Sequence, residues 1–283
     1  MKADMLVSPA ALAARLGEAD TLVFDVRHDL ADTKKGRIAY GAGHIPGAYF
    51  LHLDDDLSGP KTGTNGRHPL PDPHAFARRV AACGLAPGRR VVVYDDAWGM
   101  VASRLWWMLR WLGHEDVAIL DGGYPAWCRE GLPVDKAVPP PREGAFDPRP
   151  RLGALTDAHY VAAFRHSPTV RVIDARSPER YTGASETIDP VGGHIPGAVN
   201  RFWQENLDDE HRFKSPAELR AEYLALLGEA NPALAVHSCG SGVTACHNLF
   251  AMELAGLGGS RLYAGSWSEW CADPARPVAK GNE

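Results

Sequence analysis

Short apolar runs alternate with longer amphipathic stretches along the whole chain. Six of the runs have the length and composition of buried strands: "TLVFDV", "VVVYD" and "VAILDG" in the first half, "VRVIDA", "LAVHS" and "RLYAG" in the second. Nearly continuous apolar strands separated by helix-length segments are typical of a parallel sheet covered by helices on both faces. The pattern therefore predicts the α/β class, with a mostly parallel sheet in each half of the chain.

The pattern occurs twice because the sequence itself is duplicated. The stretch "VVVYDDAWGMVASRLWWMLRWLGHEDVAILDGGYPAW" at 91–127 aligns without a gap on 234–270, at a shift of 143 residues. Further upstream, "SPAALAARL" from Ser8 parallels "TDAHYVAAF" from Thr156, and each is predicted to begin a helix because it starts with a good N-cap residue. A repeat of this length indicates two copies of a domain rather than an array of small units.

A proline-rich segment separates the two copies. The sequence "VPPPREGAFDPRPRLG" at 138–153 contains five prolines, which exclude a helix or a central strand. We interpret it as an extended linker. The predicted organisation is a first domain at 1–137, this linker, and a second domain at 154–283, which suits a chain of 283 residues.

Composition and charge narrow the range of functions. Hydrophobic residues make up 45% of the chain and charged residues 23%, as in soluble proteins with well-formed cores. The net charge of −5 gives no reason to expect nucleic acid or an anionic membrane as a partner. No run reaches the roughly 18 apolar residues of a membrane span, and the N-terminus lacks the apolar core of a signal peptide, so we expect a cytoplasmic location.

The cysteines do not form the pattern of a disulfide framework or of a zinc site. There are five of them at irregular spacing, with no CxxC pair: Cys83, Cys128, Cys239, Cys246 and Cys271. We therefore predict no metal and no cofactor, and at least one reactive thiol. Cys246 is predicted to lie inside a helix as a core residue.

One cysteine has the surroundings of a nucleophile. In "HSCGSGVTACHN" the strand is predicted to end near Ser238 and the helix to begin near Gly242 or Val243, which puts Cys239 at the carboxyl end of a strand. Gly240 and Gly242 can adopt positive φ, so the loop can curl and direct its N–H groups inward. Such a nest, together with the positive end of the helix dipole, stabilises a thiolate.

Several motifs together resemble the tandem-domain rhodanese family of sulfurtransferases, in particular its 3-mercaptopyruvate branch. They are the loop "CGSGVT", two copies of "GHIPGA", "DAR…RY" and "GSWSEW". The resemblance implies that the Cys239 thiolate takes a sulfur atom from a donor as a persulfide and passes it to cyanide or a thiol. It also implies that only the second domain is catalytic. The first copy agrees, because Asp96 replaces the cysteine and Trp98 occupies the turn.

The resemblance also implies binding residues for the donor. Arg180 in "SPERY" corresponds to the family's substrate-binding arginine. The mercaptopyruvate branch has a second arginine before the second "GHIPG", but here "SETIDPVGGHIPG" offers only Thr187 or Asp189 near that place. Arg201, just after "GAVN", is a candidate to supply the missing charge.

A Ser–His–Asp relay is implied by the same branch. By motif position its members are Ser241 in the loop, His68 in "GRHPLP" and Asp54 in "FLHLDD". The expected partners are a small-molecule sulfur donor, a cyanide or thiol acceptor and a thioredoxin-like reductant. The backbone groups expected to hold the substrate sulfur belong to the loop residues Gly240, Gly242, Val243 and Thr244.

Three alternative functions can be compared with the sequence, and two of them remain open. The cell-cycle phosphatases that share the rhodanese fold need a Cys-x5-Arg loop, whereas the residue six after Cys239 is Ala245. Thiosulfate could be the donor, although it should favour cations in the loop and this loop is neutral. A persulfide carrier that serves a partner protein needs the same nucleophile, so the sequence does not exclude it.

Overall fold

The computed structural model describes residues 4–282 and divides them into two compact units. The first unit comprises residues 4–59, 70–151 and 210–212. The second comprises residues 60–69, 152–209 and 213–282. Each sequence copy thus gives one unit, but a ten-residue segment of the first copy, 60–69, belongs to the second unit.

The first unit is built on a five-stranded parallel sheet in the order β1-β5-β4-β2-β3. Its strands are β1 Leu6–Val7, β2 Thr21–Asp25, β3 Tyr49–Phe50, β4 Arg90–Tyr94 and β5 Val117–Leu120. Its helices are α1 Pro9–Ala13, α2 Lys35–Ala42, α3 Pro73–Ala81, α4 Ala102–Trp111 and α5 Gly123–Arg129. The proline-rich segment contains no α-helix and pairs its backbone with this unit, for example Arg149 N–H with Leu112 O at 2.8 Å.

The second unit repeats this topology strand for strand, in the order β6-β10-β9-β7-β8. Its strands are β6 Leu155–Thr156, β7 Val172–Asp174, β8 Val199–Asn200, β9 Val236–Ser238 and β10 Arg261–Tyr263. Its helices are α6 Ala158–Phe164, α7 Pro178–Thr182, α8 Pro216–Leu227, α9 Ala245–Leu254 and α10 Ser266–Trp270. Two apolar clusters, one including Trp267 and Trp270 and the other Leu219 and Met252, form its core.

The predicted fold is confirmed. All six predicted strands are present, and every strand pair within the two sheets is parallel. The four strands that the sequence did not indicate are two residues long, too short to give a periodic pattern. Among residues 4–282, no helix is long and apolar enough to cross a membrane.

Two predicted helix starts are displaced. The cap of α6 is Asp157, whose carboxylate accepts the N–H of Tyr160 at 2.8 Å, rather than Thr156, which ends β6. Helix α9 begins at Ala245, two to three residues later than predicted, and Cys246 therefore lies in its first turn. The residues between the end of β9 and the start of α9 are turn residues, and they form the loop around Cys239.

Candidate active site

Cys239 follows β9, the central strand of the second sheet. Because β7, β9 and β10 are parallel, their carboxyl ends lie at one edge of the sheet, where ligands of open α/β sheets bind. Only 2% of Cys239 is exposed. Its sulfur is therefore accessible only to a small or narrow group.

Two backbone N–H groups of the loop point at the cysteine sulfur. Cys239 Sγ accepts from the N–H of Gly242 at 3.1 Å and from that of Ser241 at 3.4 Å. Gly242 has φ +78°, and a Cβ there would lie 2.4 Å from Ala264 O, so no other residue fits. The loop thus supplies the donors that a sulfur anion needs.

Ser266, which the sequence analysis did not single out, holds the backbone of the cysteine. Its Oγ accepts the N–H of Cys239 at 3.1 Å and donates to Tyr263 O at 2.9 Å. The residue is buried and has φ +54°, a strained value for a side chain with a Cβ. The motif "GSWSEW" was the signal in the sequence for this role. It contains Ser266 and also Trp267, whose N–H donates to Cys239 O at 2.9 Å.

The corresponding loop of the first unit already holds a carboxyl group of the protein. The carboxylate of Asp95, which precedes Asp96, accepts the N–H groups of four loop residues at 2.8–2.9 Å: Ala97, Gly99, Val101 and Ala102. Burial raises the pKa of Asp95, and these four bonds oppose the increase. A loop of this design can therefore cradle a negative charge, and in the first unit that place is taken by the protein's own carboxylate.

Two guanidinium groups converge on Gly240. A Cβ at Gly240 would lie 2.7 Å from Arg67 Nη2 and 3.4 Å from both Nη atoms of Arg180. Gly240 does not have positive φ, so the sequence-based reason for this glycine was wrong. Glycine leaves room here for the two arginines to approach the backbone. Arg67 is the cation that the sequence analysis missed.

Acidic side chains hold both arginines in place. Asp189 Oδ2 accepts from Arg180 Nη2 at 3.0 Å, and its Oδ1 accepts from Arg67 Nη1. Arg180 Nε donates to both carboxylate oxygens of Glu186 at 3.1 Å. Burial alone would raise the pKa of Glu186, but the bonds from Arg180 and from the N–H groups of Asp189 and Ile188 lower it below its ordinary value.

Arg201 is engaged elsewhere in the second unit. Its guanidinium donates to Glu222 at 2.5 Å, pairs with Glu205 at 3.3 Å and lies over the Tyr223 ring. The structure brings Arg67 and Arg180 to the cysteine loop, and the described contacts of Arg201 are not with that loop. A role for Arg201 in binding the donor stays a prediction without support from these contacts.

The loop serine is hydrogen-bonded to the predicted histidine. Ser241 Oγ and His68 Nδ1 lie 2.7 Å apart, and both side chains are buried. Residues 60–69, which include His68, belong to the same unit as Ser241. Asp54 belongs to the first unit, where its carboxylate lies 4.0 Å from His28 Nε2, and its part in a relay stays a prediction.

The remaining two predicted loop residues form the transition to the helix. Thr244 is the N-cap of α9, and Val243 is buried beside it. Their carbonyl groups accept the N–H groups of His247 and Cys246 at 3.1 and 3.0 Å. The described hydrogen bonds to the cysteine sulfur come from Ser241 and Gly242, so donation from Val243 and Thr244 stays a prediction.

Comparison with known proteins identifies the architecture. A model of the rhodanese-like domain matches residues 8–130 and 157–273. A probable 3-mercaptopyruvate sulfurtransferase of Pseudomonas aeruginosa is 47% identical over 284 residues, which is 100% of both chains. The chain belongs to the rhodanese family.

Other rhodanese relatives differ in the donor that their names state. A putative thiosulfate sulfurtransferase of Mycobacterium tuberculosis is 37% identical over 99% of this chain and 98% of its own. The structure of 3-mercaptopyruvate sulfurtransferase from Leishmania major superposes with a TM-score of 0.82 at 31% identity, over 94% of this chain and 74% of its own. This chain is therefore a tandem rhodanese sulfurtransferase, and the relatives alone do not decide its donor.

One group of side chains in the described residues has the spacing of a metal site. His28, His52 and Asp54 place one ligand atom each within 4.8 Å of one another. Both ring nitrogens of His52 are already hydrogen-bonded, Nε2 to Thr33 O at 2.7 Å and Nδ1 to the backbone N–H of Asp54 at 3.2 Å. We therefore assign no metal to this cluster. In β9, burial lowers the pKa of His237 to about 3, so that ring is neutral.

Gly240→Ala is expected to weaken donor binding without unfolding the rhodanese loop. The added methyl group would meet Arg67 Nη2 at 2.7 Å, and the flexible end of that arginine must move away. We expect KM to rise about fivefold, equivalent to ~1 kcal/mol, with Tm nearly unchanged. The measurement is steady-state kinetics of this variant and of a control, Gly153→Ala, where a Cβ meets nothing within 4 Å. An unchanged KM would show that Arg67 does not contact the donor.

Proposed function

We propose that this enzyme transfers sulfur from 3-mercaptopyruvate to a thiol or cyanide through a persulfide on Cys239. The single observation that carries the choice of donor is the hydrogen bond between Ser241 and His68, beside a cradle with no cation in the loop itself. The relative with 47% identity, named a probable 3-mercaptopyruvate sulfurtransferase, supports the same donor. Thiosulfate is the second candidate, since other relatives carry that name.

In the first half-reaction, the Cys239 thiolate attacks the sulfur of 3-mercaptopyruvate. The new S–S bond uses the thiolate electron pair, and the C–S bond breaks with its pair going to carbon as the enolate of pyruvate. That enolate must gain a proton, which the Ser241 hydroxyl can deliver from the His68 imidazole. The persulfide stays on the enzyme, with the N–H groups of Ser241 and Gly242 as donors near the charged sulfur.

In the second half-reaction, a thiol or cyanide attacks the outer sulfur of the persulfide. The S–S bond breaks, its electron pair returns to Cys239, and the acceptor leaves with the transferred sulfur. Because Cys239 is 2% exposed, a small or extended acceptor fits best. A thioredoxin-like reductant as the final partner, and the cytoplasmic location, stay predictions from the sequence.

The donor is bound through its carboxylate. Arg67 and Arg180 present guanidinium groups beside Gly240, the residue after the nucleophile, and planar guanidinium groups suit carboxylates. Arg67 thereby takes the place of the second arginine that the motif lacks. Asp54 is proposed, from the family resemblance, to orient His68.

The donor is tested by measuring kcat/KM for 3-mercaptopyruvate and thiosulfate side by side. We expect the wild type to prefer 3-mercaptopyruvate. Ser241→Ala should lower kcat with 3-mercaptopyruvate by about 10²-fold, as for loss of a general acid, and should change kcat with thiosulfate little. Sulfite leaves thiosulfate without needing a proton, which makes thiosulfate the internal control. A wild type that prefers thiosulfate would contradict the donor assignment and leave the persulfide step intact.

A further inference from the structure

A carboxylate of the protein already occupies the two arginines. Asp189 uses one oxygen for Arg67 and the other for Arg180, the latter at 3.0 Å. The Asp189 side chain is 3% exposed, whereas the side chains of Arg67 and Arg180 are 29% and 20% exposed. The two arginines are thus partly exposed to solvent, whereas the carboxylate that joins them is buried.

This bridge lies where an anionic donor must bind. Both guanidinium groups flank Gly240, and the next residue toward the N-terminus is the nucleophile Cys239. A donor whose sulfur reaches Cys239 must place its carboxylate near the guanidinium groups that flank Gly240. Arg180 Nη2 both faces Gly240 and donates to Asp189, whereas Arg67 donates to Asp189 through Nη1 and faces Gly240 with Nη2. Full hydrogen-bond geometry for the donor on Arg180 therefore requires that Nη2 turn away from Asp189.

The local charges balance before any donor binds. Three arginines are ion-paired with three carboxylates in one cluster: Arg67, Arg176 and Arg180 with Asp174, Glu186 and Asp189. A passing anion therefore meets no net positive charge. It gains the contact with Arg180 Nη2 only by displacing Asp189, which already accepts from that atom.

We propose that Asp189 is a specificity-determining residue that competes intramolecularly with the carboxylate of the donor. The donor displaces at least one of the two arginine contacts of Asp189, so part of its binding energy is spent on this exchange and KM is higher than the arginines alone would give. Inorganic anions such as sulfate, which have fewer other contacts to the site, are rejected more strongly. This inference rests on the proposed function only in requiring an anionic donor that meets Arg180.

Asp189→Asn tests the competition, because it keeps the shape of the side chain and removes the charge. We expect KM for 3-mercaptopyruvate to fall about tenfold, the equivalent of ~1.4 kcal/mol, with kcat nearly unchanged. Inorganic sulfate should bind the variant about tenfold more tightly than the wild type, seen as a larger rise of Tm with sulfate concentration. The sulfate titration needs no turnover and so is independent of the donor.

Glu186→Gln is the matched control. It removes one equally buried negative charge beside the same Arg180, but Glu186 does not contact Arg67. We expect its effect on KM and on sulfate binding to be clearly smaller than that of Asp189→Asn. Equal effects would mean that net charge alone matters, and the proposed competition would be wrong.

The outcomes separate this inference from the donor assignment. If the wild type prefers thiosulfate but Asp189→Asn lowers KM for thiosulfate, the competition stands and only the donor changes. An unchanged or higher KM in Asp189→Asn, with unchanged sulfate binding, would show that Asp189 only orders the arginines. Asp189→Ser, which also removes the carboxylate, replaces the asparagine variant if the latter does not fold.

Discussion

Cys239→Ser should abolish sulfur transfer. A serine hydroxyl in the same cradle is neither ionised at neutral pH nor able to form a persulfide, so turnover should fall by about 10⁴-fold or more. Mass spectrometry of the wild type, incubated with 3-mercaptopyruvate but without acceptor, should find one added sulfur atom, on Cys239. The variant should gain none at that position.

The matched control for this loading experiment is Cys128→Ser. Cys128 is the exposed cysteine among the described residues, and it is the thiol most open to accidental modification. Its replacement should leave both loading and turnover unchanged. Sulfur that loads on another cysteine, or activity that survives in Cys239→Ser, would refute the mechanism.

The first unit shows why its copy of the loop cannot perform the same step. Asp96 stands at the position of the nucleophile, and Asp95 directs its carboxylate into the N–H groups of the loop. In the second unit the residue at the position of Asp95 is Ser238, which has no charge to place there. The second cradle therefore remains available for the sulfur, which Cys239 presents at 3.1 Å from the Gly242 N–H.

The fold could be read from the sequence because its signals are local or repeated. Buried strands such as β4 and β9 are apolar runs of strand length, and the duplication supplies each signal twice. Edge strands of two residues give no such signal. The start of α9 was misplaced although Thr244, a residue type preferred at N-caps, marks it; its side chain makes no capping hydrogen bond.

From the residues alone the site was predictable only where they are adjacent in sequence, whereas Arg180 and His68 were predicted from the family resemblance. Cys239, Ser241 and Gly242 lie in one loop, and their geometry follows from the loop itself. Arg67 comes from a segment of the first copy that joins the second unit, so a tertiary contact decides its position. Ser266 likewise reaches Cys239 from the neighbouring strand connection, 27 residues away.

Single and double replacement of the two arginines should give the largest effect on donor binding. A charged hydrogen bond is worth about 1.5–3 kcal/mol, so Arg67→Ala and Arg180→Ala should each lower kcat/KM by about 10- to 100-fold. Each single change also leaves Asp189 with one arginine instead of two, so the carboxylate competes more strongly with the donor for the arginine that remains and repels the donor with its uncompensated charge. Part of each single effect is therefore a weakened contact between the donor and the other arginine.

The double variant should consequently lose less than the product of the two single losses, about 10²- to 10³-fold in kcat/KM. Adding Asp189→Asn to Arg67→Ala should restore part of the loss, because it removes the repelling charge. Arg171→Ala is the control, since this arginine precedes β7 and donates to Leu227 O at 3.4 Å, at the opposite end of the strands from Cys239. Strictly multiplicative losses and no rescue by Asp189→Asn would show that Arg67 and Arg180 act independently of Asp189.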